Sequence, residues 1–84
     1  MSNLIDDPII EMRNKRFNHI KGQIDYIVSR IEKNKLTITQ IDRAYVYLDN
    51  VIETSHLDGL LDDSQVYNLS TPMSNINQHL PKLL

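Results

Sequence analysis

The segment 33–40 constrains the fold most, because it predicts the end of one helix and the start of another within a few residues. Asn34 is a residue type that adopts the left-handed conformation common at helix ends. The lysines on either side of it suit the negative end of a helix dipole. Thr37 and Gln40 have the spacing of a capping box. A connection this short predicts two antiparallel, neighbouring helices.

The first helix is predicted over 8–34, after a short arm at 1–7. Asp6 or Asp7 can serve as the N-cap, and Pro8 suits the first helical position, where an N–H has no helical partner. Apolar residues then recur at heptad spacing, which is typical of a helix that packs along one seam. These residues are Ile10, Phe17, Ile20, Ile24, Ile27 and Ile31.

The second helix is predicted over 37–58, with Gly59 as the residue that ends it. Its apolar arc is too broad for one partner helix, because Val46 and Tyr47 fall outside the stripe that would face the first helix. Either the C-terminal segment or another molecule should cover the second face. Since tyrosines are favoured in interfaces, we predict protein-interaction residues at this surplus. They are Tyr45, Val46, Tyr47 and Ile52.

The C-terminal segment, 60–84, is predicted to hold a short helix near 72–80, starting at the Thr71-Pro72 pair. The fold class is therefore all-α: a single helical domain with an antiparallel two-helix hairpin and a short C-terminal helix. A chain of 84 residues without cysteine has a thin core and no disulfide to support it. We therefore expect two copies to pair as a homodimer, forming a four-helix bundle.

No catalytic, metal-binding or nucleotide-binding signature is found in the sequence. The three histidines are far apart, and two isolated glycines cannot form a phosphate-binding loop. We therefore expect a protein that is not an enzyme and needs no cofactor. The first residues lack the basic and apolar regions of a secretory signal, and no apolar run is long enough to span a membrane. The expected location is the cytoplasm.

Charge is unevenly distributed along the chain, with a net charge of +5 over 12–35 and −4 over 44–84. One interpretation is that the first helix contacts an anionic partner, such as a nucleic acid, through Arg13, Arg16, Arg30 and Lys33. The alternative is that a basic helix packs beside an acidic one. Reading of the DNA major groove is disfavoured, because the second helix is long, acidic and aromatic.

The pair Ile24-Asp25 and the run Ile31–Lys35 resemble the centre of the small Hha/YmoA proteins of enterobacteria. That resemblance covers about a dozen residues and implies a helical modulator that associates with nucleoid-structuring repressors.

The sequence as a whole leaves three functions open. The first is a small non-enzymatic regulatory or inhibitor protein that binds another protein through a helical surface. The others are a nucleic-acid-associated modulator that uses the basic first helix, and a structural assembly piece of a phage or secretion system.

Overall fold

The computed structural model describes residues 7–80, which form three α-helices and no strand. They are α1 (Pro8–Glu32), α2 (Ile38–Leu57) and α3 (Asp63–Asn77), and each packs against the other two. The predicted all-α class is confirmed, with three packed helices. Apart from Asp7, the predicted arm lies outside the described residues, as do the last four residues of the C-terminal segment. None of the described helices is long and apolar enough to cross a membrane.

The predicted turn between the first two helices is confirmed. Asn34 has a positive φ of 56°, and its backbone N–H donates to the carbonyl of Ile31 at 2.9 Å. The N–H of Lys35 donates to the carbonyl of Arg30 at 3.0 Å. This pair of bonds is the Schellman arrangement, which satisfies carbonyls left free at the end of a helix. α1 therefore ends within two residues of the prediction.

The capping box that begins α2 is also confirmed. The N–H of Gln40 donates to the Thr37 hydroxyl at 3.2 Å, and the N–H of Thr37 donates to the Gln40 side chain at 2.9 Å. At the other end, Gly59 adopts φ 78° immediately after the C-cap Asp58. A residue with a Cβ is strained in that conformation, so the glycine fits its position.

α3 differs from the prediction of a short helix near 72–80. It begins at Asp63, because Asp62 and Gln65 form a second capping box with bonds of 2.8 and 3.1 Å. Pro72 lies inside the helix rather than at its start, so the predicted Thr71-Pro72 start is wrong. A proline inside a helix removes one backbone hydrogen bond. Burial of apolar side chains on both sides of it, at Leu69, Met73 and Ile76, offsets that cost.

Among residues 7–80, ten apolar side chains are buried in the core, and they come from all three helices and the loop before α3. They are Ile20, Ile24, Ile31, Ile41, Leu48, Ile52, Leu61, Leu69, Met73 and Ile76. In the predicted seam of the first helix, Ile20, Ile24 and Ile31 are buried and Phe17 and Ile27 are half-buried, whereas Ile10 is 49% exposed. α3 covers one side of α2, where half-buried Tyr45 packs on the core and borders a crevice with Val66 and Leu69. The apolar arc of α2 that one helix could not cover is thus partly covered by α3.

Candidate protein-docking groove

An open groove runs between α1 and α2, with a volume of about 570 Å³. Tyr26 of α1 and Tyr47 of α2 line it and are 61% and 58% exposed. Half-buried Ile27 and buried Leu48 also line it and connect it to the core. We call this the α1/α2 groove. Its lining is mainly apolar, as is common in sites that bind other molecules.

Two small residues, Gly22 and Ala44, contribute to the lining from opposite helices. A Cβ placed on Gly22 would meet no heavy atom within 4 Å. No packing inside the described chain therefore requires a glycine there. What the missing side chain provides is space on the α1 side of the groove, where the backbone of a second molecule can approach.

The groove continues toward the start of α1 through two adjoining hollows. Arg16 lines both hollows, His19 joins one of them to the groove, and Tyr47 joins the other. Met12, Lys15 and the half-buried Leu60 also line the hollow nearest the start of α1. We call these hollows the groove extension. Shared lining residues connect the groove to its extension, which lies beside the first half of α1, the second half of α2 and Leu60.

Cations border this surface along α1. Lys15 and Arg16 line the extension, and the guanidinium of Arg30 lies over the ring of Tyr26, 5.7 Å from its centre. That distance is within the range of a cation–π interaction. Among residues 7–80, none of these three cations forms an ion pair with a carboxylate. Their charges are therefore available to an anionic group on a bound molecule.

The four predicted protein-interaction residues separate into different environments. Tyr47 lines the groove, and Val46 is exposed (49%) but is not part of the lining. Tyr45 packs half-buried on the core beside α3. Ile52 is 8% exposed and belongs to the core, so it does not lie on the exposed surface predicted for it. Its burial follows from the position of α3, which covers that side of α2.

The four predicted anionic-partner residues also differ from one another. Arg13 forms an internal bond, since its Nε donates to the carbonyl of Gly59 at 2.9 Å. Arg16 lines the groove extension, and Arg30 stacks on a groove tyrosine. Lys33 is exposed and is the C-cap residue of α1. Two of the four, Arg16 and Arg30, are thus placed at one surface. Arg13 bonds within the fold instead.

Sequence reasoning did not identify Gly22 and Tyr26 as site residues. The signal that could have found them is the row His19, Gly22, Tyr26 and Arg30, which has the three- and four-residue spacing of one helix face. That row lies beside the apolar seam rather than within it. Its significance depends on which flank of α1 remains uncovered once α3 has packed.

Within residues 7–80, no group of three or more histidine, cysteine or acidic side chains is placed to hold a metal ion. His56 and Asp63 form a close pair, with 2.7 Å between Nε2 and Oδ1, but they join α2 to α3 and are not part of the groove lining. Among the described residues, the α1/α2 groove is therefore the feature best suited to binding.

Comparisons of this chain with protein-family models, with curated proteins and with solved structures find no match. The resemblance to the Hha/YmoA proteins consequently rests on the residues quoted for it above.

Proposed function

We propose that this chain is a small non-enzymatic regulatory or inhibitor protein, and that it acts by binding another protein in the α1/α2 groove. The observation that carries the proposal is the groove itself. It combines an apolar lining with two half-exposed tyrosines, Tyr26 and Tyr47. Tyrosines in such positions contribute strongly to protein interfaces, because each offers a large ring and a polar hydroxyl at low entropic cost.

Site-specific photo-crosslinking tests this proposal in cells that naturally produce the protein. A photoreactive phenylalanine analogue replaces Tyr47 in one variant and Tyr67 in the other. Tyr67 is 76% exposed on α3 and is not part of the groove lining, so it serves as the matched control. We expect a crosslinked protein product from position 47 and none from position 67. No protein product at 47, or the same product at both positions, would contradict the proposal.

Pairing of two copies into a four-helix arrangement is a separate proposal. The sequence favours pairing because a chain of 84 residues without cysteine has a thin core. What supports pairing is the exposed apolar surface that remains on α2, at Val46 and Leu57 (49% and 78% exposed). Sedimentation equilibrium at micromolar concentrations tests it, and a stable monomer throughout that range would exclude the homodimer.

The alternative function is a nucleic-acid-associated modulator that uses the cations of α1. What favours it is the positive charge of α1 and its end, at Arg16, Arg30 and Lys33 together with Lys15. Such binding would weaken steeply as salt rises, because phosphate contacts release counterions. A gel-shift titration with duplex DNA at low salt tests it. No shift at low salt would remove this alternative.

A further inference from the structure

We propose that the α1/α2 groove receives an amphipathic helix of a partner protein that carries carboxylates along its flanks. This inference rests on the proposed function and deepens it, because it states the chemistry of the bound segment. The argument has two parts, the shape of the groove and the distribution of charge around it.

The shape of the groove favours a helix as the bound element. It lies between two packed helices, so a third helix laid along it would contact both, as in a bundle. Helices in contact lie about 8–10 Å apart, and small residues allow the closer distances. Gly22 and Ala44 are the small residues on the two walls. Tyr26 and Tyr47 flank them and can pack against apolar side chains of the incoming helix.

The charge distribution favours an acidic partner. The groove and its extension are bordered by Lys15, Arg16 and Arg30, none of which pairs with a carboxylate among residues 7–80. Asp58, at the end of α2, is the one carboxylate that lines these hollows in the described part of the chain. The excess positive charge complements carboxylates on a partner and opposes cations.

Apart from Asp58 at its end, the carboxylates of α2 lie on the side of that helix that faces away from the groove. Asp42, Asp49 and Glu53 fall on one face of the helix by their spacing. Asp49 borders the crevice between α2 and α3, which places this face away from the groove. Cations of α1 thus border the groove and its extension, whereas these carboxylates of α2 lie on the opposite side of α2.

A second copy of the chain is a poor occupant in the usual two-fold arrangement. A two-fold interface places the same patch of both molecules together. The cations of one copy, Arg16 and Arg30 among them, would then face the cations of the same patch on the other copy, where like charges repel.

The phosphates of a nucleic acid could pair with the cations of this surface, but they would leave its apolar side chains uncovered. Ile27, Leu48 and half-buried Val51 line the groove and its extension, and they offer nothing to a phosphate. The apolar stripe of an amphipathic helix would cover them. The lining as a whole therefore favours a protein partner over a nucleic acid.

Two designed peptides of 18 residues test the inference. Both have the same stripe of leucines at helical spacing, and their flanking positions hold glutamate in one and lysine in the other. Binding to the full chain is measured by fluorescence anisotropy at low salt. We expect the glutamate peptide to bind at least about tenfold more tightly than the lysine peptide. The difference should shrink at high salt, which screens charges.

Two pairs of variants test whether the peptide binds in the groove. Gly22→Leu fills the groove, and Asn75→Leu adds the same side chain at an exposed position of α3 that is not part of the lining. We expect loss of binding, about tenfold or more, for Gly22→Leu alone. Arg16→Glu should weaken binding of the glutamate peptide, whereas Lys35→Glu, with the same change in net charge, should leave it nearly unchanged.

The inference is overturned by equal affinity for both peptides, by no binding of either peptide, or by equal effects within each pair of variants. Tighter binding of a fluorescent 20-base-pair DNA duplex that is also lost in Arg16→Glu would overturn it in favour of a nucleic acid. Dimer formation of the chain alone that is lost in Gly22→Leu, with no binding of either peptide, would overturn it in favour of a second copy. Photo-crosslinking from position 47 does not depend on the charge of the partner. A failure of the peptide experiments would therefore overturn the inference about the partner, and the crosslinking result would still decide the proposed function.

Discussion

The Nε of Arg13 donates a hydrogen bond to the carbonyl oxygen of Gly59, over a distance of 2.9 Å and a sequence separation of 46 residues. Gly59 is the left-handed residue that ends α2, and its N–H bonds to the carbonyl of His56. The N–H of the next residue, Leu60, donates to the carbonyl of Ser55 at 2.8 Å. The bond from Arg13 therefore ties the first two turns of α1 to the loop that leads into α3.

Replacing Arg13 should destabilise the protein even where the charge is kept. We expect Arg13→Lys to cost about 1–2 kcal/mol in the free energy of unfolding, because lysine has no donor at the Nε position and the bond is partly buried. Urea denaturation followed by circular dichroism measures the change. Arg16→Lys is the matched control and should change stability by less than about 0.5 kcal/mol. Equal stability of both variants with the wild type would show that the bond contributes little.

The first two helices could be predicted from the sequence because their ends are decided locally. Asn34, Thr37 and Gln40 satisfy backbone groups within a few residues of themselves, so a pattern is enough to find them. The start of α3 was missed although Asp62 and Gln65 form the same kind of box. Thr71-Pro72 offered a competing start signal, and the burial of side chains between the two starts decides which one is used.

Substitutions at the two competing starts should separate them. Asp62→Ala should lower stability by about 1 kcal/mol, because the alanine cannot accept the bond from the Gln65 amide. Asp62→Asn should retain most of the stability, since asparagine is an equally good N-cap. Thr71→Ala, at an exposed position inside α3, should change stability by less than about 0.5 kcal/mol. A larger loss at position 71 than at 62, measured by thermal unfolding, would mean that the helix begins at the later start.

Removing the proline from α3 should stabilise the protein. Pro72 lies ten residues into the helix counted from Asp63, and it cannot donate a bond to the carbonyl of Asn68. We expect Pro72→Ala to raise the free energy of unfolding by about 1–3 kcal/mol, less the entropy that proline removes from the unfolded chain. Differential scanning calorimetry gives the change. A lower melting temperature would show that the half-buried proline ring packs usefully against the core.

Neighbouring positions of α2 should respond very differently to truncation. Leu48 is 2% exposed, so Leu48→Ala should cost about 2–5 kcal/mol through lost burial and a cavity. Val46→Ala should cost less than about 1 kcal/mol, because Val46 is 49% exposed. Chemical denaturation at constant temperature compares the two. Comparable losses would indicate that Val46 is covered in solution, as it would be in a homodimer.

The candidate site was only partly predictable, for a reason visible at Tyr45 and Tyr47. Both belong to the same surplus of apolar residues in the sequence, and nothing local distinguishes them. The position of α3 distinguishes them, because α3 packs beside Tyr45 and leaves Tyr47 in the lining of the groove. Tyr26 was overlooked for the same reason, since the uncovered flank of α1 is defined only once all three helices are packed.

The two glycines should respond in opposite directions to the same substitution. Gly22→Ala should raise the free energy of unfolding by about 1 kcal/mol, because alanine favours a helix and the added Cβ meets nothing within 4 Å. Gly59→Ala should lower it by about 1 kcal/mol or more, because φ is +78° there. Urea midpoints of both variants, measured in one buffer, give the comparison. A loss of stability at position 22 would show that something packs against that glycine in the free protein. A gain in stability would show that Gly22 is not needed for folding, which is the result expected if this glycine serves to leave space in the α1/α2 groove.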